Sequence, residues 1–242
     1  MRFLRFSEKH VEQFEKLSVG RVSSFTELFV RLQLLEFDEH YRKVREHPLT
    51  IWVSYLVACP LKWFYTMKYP EIARATFRGC FVLGKLAHLG LQQLAKLYAE
   101  ELGFRQVEIE KDVEKRINVD LNDLPRIVRL SGRIDILATD EDDEKIVVEI
   151  KTARSDAYLP HEHHVQQLRI YMNLANASKG VLLYITPDRV AEYTYTNPAS
   201  DEELQKLVAT FLRFEGPRYE WECTYCQFSS ICPRKKTNQA KR

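Results

Sequence analysis

The stretch from Gly132 to Lys151 constrains the fold more than any other. It reads Gly-Arg-Ile-Asp-Ile-Leu-Ala-Thr, then an acidic run at 140–144, then Lys-Ile-Val-Val-Glu-Ile-Lys. Two apolar, β-branched segments joined by a charged turn predict an antiparallel hairpin, with strands over 127–138 and 145–152. Strand side chains alternate between faces, so Ile146, Val148 and Ile150 share one side and Val147, Glu149 and Lys151 the other. A hairpin centred near Asp142 places Asp135 directly across from Glu149. Like charges so placed repel, and a divalent cation is the simplest neutralising agent. Lys151 points to the same side. One acid from each strand plus a lysine is what phosphodiester hydrolysis needs: a metal held by the acids, and an ammonium that orients water or offsets developing charge. The competing reading is a solvated hairpin face with a stray salt bridge. The apolar strand around Glu149 and Lys151 weighs against it. The acidic turn reads as a solvated loop, and no calcium site is expected there.

Around this hairpin the pattern is mixed. Phe25, Leu28, Phe29, Leu32 and Leu35 recur at helical spacing after a candidate N-cap, Ser24. Thr50 is expected to cap a short helix over 51–58, which ends at Cys59-Pro60. A long helix is expected from about Phe77 to Leu102, stopped by Gly103. Strand-like alternation follows at 107–109 and in parts of 113–119. A helix opening at Pro160 and closed near Gly180, a strand pair at 181–186 and 190–196, and a last helix over 201–215 complete the order. A run of strands flanked by helices predicts a mixed α/β domain, not a doubly wound array.

Two helices carry further candidates. His88 follows Gly84 by one turn, and Gly84 would allow close approach. Beside a carboxylate pair His88 can complete a metal site, which Mn²⁺ tolerates well and Mg²⁺ less well. His164, Gln167 and Tyr171 fall on one face of the later helix, where Gln and Tyr can position a nucleic-acid strand or the attacking water. His164 ranks second to His88 as a ligand. His161 and His163 read as solvent-facing.

There are five cysteines, and Cys223, Cys226 and Cys232 fall within ten residues. An odd count this clustered does not read as a disulfide framework. With Cys59 the trio gives four thiolates, suited to Zn²⁺ or a 4Fe–4S cluster. The distant single cysteine and the Cys-Pro at each end favour the cluster, with Trp221, Tyr225 and Phe228 as its shield. Such a group would close a very long loop, a structural role first. Cys80 stays outside the scheme and is expected to be buried.

The net charge is +2, from 36 basic and 34 acidic residues, which alone does not suggest nucleic acid. Base concentrates at the C-terminus, at Arg234, Lys235, Lys236, Lys241 and Arg242. No apolar run approaches the ~20 residues of a membrane span. The first ten residues lack the apolar core of a signal peptide. The expected compartment is the cytoplasm, with no membrane partner.

His88, Gly132-x-x-Asp135, Glu149-Ile150-Lys151 and Gln167-x3-Tyr171 together resemble the RecB-type branch of the PD-(D/E)xK nucleases. One cysteine before those motifs and three after resemble its iron–sulfur members, and the small size fits the CRISPR-associated exonucleases (the fourth Cas family) best. Ile134 stands where proline is usual, a departure the glycine-led version of the motif accommodates. The resemblance spans about residues 50–234 and leaves 1–49 unexplained. It implies a restriction-endonuclease-like core with a helical N-terminal region and a C-terminal cluster module. The expected divisions are 1–49, 50–104, 105–217 and 218–242. It further implies that His88, Asp135, Glu149 and the Ile150 carbonyl bind Mn²⁺ or Mg²⁺, that Lys151 is catalytic with Asp135 and Glu149, and that Gln167 and Tyr171 position DNA. Cys59, Cys223, Cys226 and Cys232 would hold a 4Fe–4S cluster. The family cuts single-stranded DNA, often from the 5′ end, and prepares fragments for the CRISPR integrase. The protein is thus expected to be a metal-dependent exonuclease acting on single strands or DNA ends, with the integrase complex as partner and homo-oligomers allowed. The alternatives are a repair or recombination nuclease outside CRISPR and a non-catalytic DNA-binding scaffold.

Overall fold

The computed structural model describes residues 23–47, 49–75, 79–121 and 124–236. The start of the chain, Phe77 at the expected helix start, and Lys241 and Arg242 in the basic tail lie outside the described residues. Helix α1 (Phe25–Glu46) begins where the Ser24 side chain accepts the Glu27 amide, which satisfies one of the open donors of its first turn. Only Leu32 and Val44 of this helix are buried.

The helix expected over 51–58 is only partly present. Residues Thr50–Trp52 form strand β1 instead, parallel to a later strand, with Thr50 opposite Arg129 and Trp52 opposite Ser131. Extended backbone wins here because it buries Ile51, and because Arg129 Nε donates to Thr50 Oγ1 at 2.9 Å. The helix shrinks to α2 (Val53–Leu56). Helix α3 (Pro60–Lys68) has Cys59 as N-cap and proline in its first turn, where a missing N–H is harmless. Helices α4 (Pro70–Arg74) and α5 (Gly79–Leu97) follow. Helix α5 stops short of the expected Leu102, and the chain turns at Gly103, whose φ is +72°.

Strands β2 (Phe104–Leu121) and β3 (Leu124–Asp140) pair antiparallel from Phe104 opposite Asp140 to Leu121 opposite Leu124. That consumes one edge of β3. Its other edge is divided. Strand β1 takes residues 129–131, and β4 (Lys145–Thr152) takes 136–139. The β3–β4 register runs from Ile136 opposite Val148 to Thr139 opposite Lys145, the pairing expected of a hairpin centred near Asp142. Between the two partners, among the described residues, 132–135 have no strand along that edge. The acidic turn is exposed, its backbone held by Asp140 Oδ1, which accepts the amides of Asp142 and Glu144.

Helix α6 (Glu162–Ala175) crosses from β4 to its parallel neighbour β5 (Lys179–Ile185), and β6 (Val190–Tyr195) closes the sheet. Helix α6 starts at N-cap His161 rather than at Pro160. It ends at Asn176 in the left-handed region, φ 51°, not at Gly180; asparagine tolerates that conformation. Gly180 serves elsewhere: it lies in β5 beneath α6, where a Cβ would fall 2.6 Å from Met172 Sδ. Helix α7 (Asp201–Leu212) opens with a Ser200–Glu203 capping box, and α8 (Glu222–Tyr225) is a single turn.

Both faces of the sheet are covered. Val147, Leu137 and Leu182 pack with Leu168 and Met172 of α6 and Leu204, Val208 and Phe211 of α7. Ile146, Val148 and Ile150 pack on the opposite side with Leu91 and Ala95 of α5. The alternation of β4 read from the sequence is thus the division between two cores, and the protein is a mixed α/β sandwich. Among the described residues no helix is long and apolar enough to cross a membrane.

Candidate active site

The break in the edge of β3 is where side chains from both helical layers meet. Asp135 and Glu149 sit there, 9% and 2% exposed. Asp135 Oδ2 accepts the backbone N–H of Ile150 at 2.8 Å, and Oδ1 lies 3.1 Å from His88 Nδ1 on α5. Glu149 Oε1 accepts from Lys151 Nζ at 2.7 Å. The same ammonium donates to Gln167 Oε1 of α6 at 3.0 Å. Tyr171, also on α6, bonds Gln167 and the Arg133 backbone. Gly132 is required beneath it, since a Cβ would fall 2.5 Å from Tyr171 Cε1. Gly84 lets α5 approach β4, with Thr152 Oγ1 only 3.2 Å from where a Cβ would stand. His88, Asp135, Glu149, Lys151, Gln167 and Tyr171 therefore line one cavity of about 540 Å³. Ile150 contributes its amide to Asp135, while its side chain lies in the core under α5.

The electrostatics of the cavity are those of a crowded anionic site. Burial pushes the Glu149 carboxyl well above the ordinary carboxylate range, and the Asp135 charge adds to it, against the pull of Lys151. Burial disfavours a charged His88, but the hydrogen bond and charge of Asp135 outweigh it and raise the imidazole. Burial, then the Glu149 charge, raise the Tyr171 phenol, which stays neutral while Gln167 and the Arg133 backbone hydrogen-bond to it. Glu149 Oε2 is buried without a hydrogen bond, as are His40 Nε2, Trp52 Nε1 and Gln92 Oε1 in the same cavity wall, and of these it alone belongs to a carboxylate. A buried anionic oxygen of that kind is costly alone, and a hard cation satisfies it. Two carboxylates and an imidazole are a donor set that fits Mn²⁺ or Mg²⁺. As they are placed, no three His, Cys, Asp or Glu side chains among the described residues already form a group that could hold a metal ion.

His164, the second-ranked ligand, is elsewhere. Its Nδ1 lies 2.7 Å from the Tyr184 hydroxyl, and burial holds its pKa down to about 2. His161 and His163 are not solvent-facing but half-buried in an aromatic stack, where His163 packs on His164 and Trp221 at centroid distances of 4.0 and 5.1 Å.

Several cavity residues escaped sequence reading. Gln92, one turn beyond His88 and fully buried, donates to the Asp135 carbonyl at 3.2 Å and to Glu110 at 2.6 Å. The i+4 spacing from His88 is the signal that would have found it. Glu110 is turned into the cavity by a left-handed φ of 51° in β2, and it also takes Arg133 at 3.4 Å. Residues of α1, Glu36 and His40 among them, form the far wall. Cys80 is exposed at the same cavity, not buried, because the first turns of α5 line that cavity and the helix buries side chains only from Gln92 onward.

The four remaining cysteines also converge. Cys59, Cys223, Cys226 and Cys232 are free thiols lining a second cavity of about 220 Å³. Burial raises the thiols of Cys59 and Cys226. Phe228 is fully enclosed at this cavity, whereas Trp221 and Tyr225, expected as shields, are 45% and 61% exposed.

Known proteins agree with this architecture. The family model of the PD-(D/E)XK nuclease superfamily matches residues 94–233. The chain is 38% identical over 214 residues to the CRISPR-associated exonuclease Cas4 of Saccharolobus solfataricus, which spans 88% of this chain and 99% of that protein. It also aligns with the crystal structure of SSO0001 at a TM-score of 0.78 and 37% identity, covering 89% of this chain and 99% of that one. A sheet whose broken edge gathers two carboxylates and a lysine, matched over most of its length by such a relative, leaves one assignment: the chain belongs to the PD-(D/E)XK nuclease superfamily, in its family of CRISPR-associated Cas4 exonucleases, and is a DNA nuclease, a hydrolase of phosphodiester bonds.

Proposed function

We propose that the protein is a metal-dependent exonuclease for single-stranded DNA, working from the 5′ end, that trims fragments before a CRISPR integrase inserts them as spacers. The observation that carries the catalytic part is the buried, unpartnered Glu149 Oε2 beside Asp135 and the Lys151 ammonium. His88, Asp135, Glu149 and the Ile150 carbonyl would hold Mn²⁺ or Mg²⁺. When bound, such a cation supplies Lewis-acid polarisation of the scissile phosphate and a more acidic water.

The chain's own residues set the rest. Lys151 is held between Glu149 and Gln167, so its ammonium has one orientation from which to donate to a phosphate oxygen or the attacking water. Tyr171 keeps Gln167 in place, and Gln92 fixes the backbone of Asp135 from behind. Phosphate contacts make binding salt-dependent.

Cys59, Cys223, Cys226 and Cys232 would hold a 4Fe–4S cluster. Their convergence from positions 59 and 223–232 on one cavity supports that reading. The donor chemistry fits, since all four are free thiols. The cluster would tie residues 218–242 to the helical segment 50–104, with 105–217 as nuclease core and 1–49 as an extension. The cytoplasm is the proposed compartment.

The test uses protein purified without oxygen, end-labelled single-stranded DNA and Mn²⁺, with Asp135→Ala alongside. Shortening by wild type alone supports the reading, and 5′ and 3′ labels give polarity. No cleavage by a folded, cluster-loaded wild type moves the weight to a DNA-binding scaffold.

A further inference from the structure

The two halves of the cysteine set are 164 positions apart at their nearest, Cys59 and Cys223. The chain must hold them together by something other than the group they would bind, or ligand assembly begins from separate segments. One side chain does this. The carboxylate of Glu222, immediately before Cys223, accepts three backbone amides, one from a residue 163 positions away and two from the turn just before it. Oε1 takes the N–H of Cys59 at 2.7 Å, and Oε2 takes those of Arg218 at 3.0 Å and Tyr219 at 2.9 Å. All three bonds are part-buried, and hydrogen bonds to an ionised acceptor are the strong kind.

Neighbouring contacts tighten the same junction. A Cβ at Gly216 would fall 2.8 Å from Cys59 Sγ, so this stretch lies directly over the first thiol. Arg218 continues the link outward, with Nη1 donating to Gln166 of α6 at 2.8 Å. Gln166 precedes Gln167, which holds Lys151. The carboxylate thus joins the first cysteine, the turn before the other three, and through Arg218 the helix that serves the nuclease cavity.

We propose that Glu222 is a positioning residue of the cysteine site: its carboxylate clasps the Cys59 backbone to the segment carrying Cys223 and Cys226, and so preorganises the thiol set for a thiophilic metal centre. This rests on the reading that the four cysteines bind such a centre.

The probe is Co²⁺, added to the full-length protein stripped of metal under anaerobic, reducing conditions. Its d–d and thiolate charge-transfer absorption reports how many cysteines coordinate and how tightly. The variants are Glu222→Ala and Glu222→Gln, with Glu220→Ala as a nearby control. Glu220 is an exposed acid paired with Lys236. Wild type is expected to give a four-thiolate spectrum. Loss of an outer-sphere partner weakens metal affinity about 10–100-fold, so Glu222→Ala should bind Co²⁺ weaker by that order. Glu222→Gln keeps one acceptor oxygen and should fall between. Glu220→Ala should match wild type. Iron and sulfide content of anaerobically purified protein should follow the same order. If Glu222→Ala does not fold by circular dichroism, Glu222→Gln decides alone. A Gln variant that binds as tightly as wild type, or more tightly, overturns the clasp and leaves the cluster reading intact. A wild-type protein with no thiolate spectrum and no iron overturns the cluster reading, and the clasp with it.

Discussion

Asp135 Oδ2 accepts the backbone N–H of Ile150 at 2.8 Å, so the first carboxylate of the site hangs on the strand that carries the second. The bond fixes the spacing of two like charges that would otherwise move apart. It also takes the place of a ladder bond on the edge of β3 that, among the described residues, has no strand beside it at 132–135. Asp135→Asn keeps an acceptor for this amide and removes the charge. It should therefore keep the fold while lowering cleavage by a factor on the order of 10²–10³, read as initial rate beside an unchanged thermal melt. Asp135→Ala loses the bond as well and should melt lower than Asp135→Asn.

Lys151 is the next side chain to isolate. It is held by Glu149 and Gln167, and the proposed function assigns it to chemistry rather than stability. Lys151→Ala should cost about 10²–10⁴-fold in cleavage rate while DNA binding, followed by fluorescence anisotropy without divalent cation, stays within a few-fold of wild type.

Glu149 makes the metal-free protein pH-sensitive. Its carboxyl is raised from 4.5 to about 7, so the folded state holds the proton more tightly than the unfolded one. That stabilisation is fully present below 4.5 and is lost as pH rises through about 7. His88, raised above 6.5, adds a loss of the same sign at higher pH. The melting temperature of wild type relative to Glu149→Gln should fall across that window in chelator, and Mn²⁺ should reverse the fall.

His40 acts with the opposite sign. Packed against Trp52 and Tyr55 with its Nε2 buried and unpartnered, it is lowered by burial, then by Lys43 and Arg133, from 6.5 to about 4. Its contribution is present above 6.5 and is lost as pH falls from there to about 4, because the unfolded chain takes up the proton first. His40→Phe should flatten that acid limb of the melting curve relative to wild type.

Gly132 sits under Tyr171, and a Cβ would also meet Val53 Cγ2 at 3.0 Å. Overpacking of this kind costs about 1–3 kcal/mol. Gly132→Ala should lower stability by that order in urea titration and shift Tyr171, with a loss of cleavage that Gly90→Ala, where a Cβ would stand in open space, does not share.

The hairpin was legible because its two signals, β-branched alternation and a charged turn, are local and set the register on their own. His88, Gln167 and Tyr171 were legible because helical spacing puts a side chain on a face. What stayed hidden depends on distant pairing. Thr50–Trp52 is a strand only because Arg129 to Ser131 offers an edge. Glu110 enters the cavity through a single left-handed residue that β propensity does not encode. The Glu222 bond to Cys59 joins residues 163 positions apart. Gly180 looked like a helix stop because a glycine's use in close packing and its use in a cap read alike in one sequence.

If Asp135, Glu149 and Lys151 form a metal-dependent nuclease site, cleavage needs both the cation and the Asp135 carboxylate. Cleavage of end-labelled single-stranded DNA by the anaerobically purified protein in Mn²⁺, beside Asp135→Ala, tests it most directly. Wild type should shorten the strand progressively, with no shortening in chelator and none by Asp135→Ala at equal fold and cluster content. Equal cleavage by wild type and Asp135→Ala, or cleavage that persists in chelator, would contradict it.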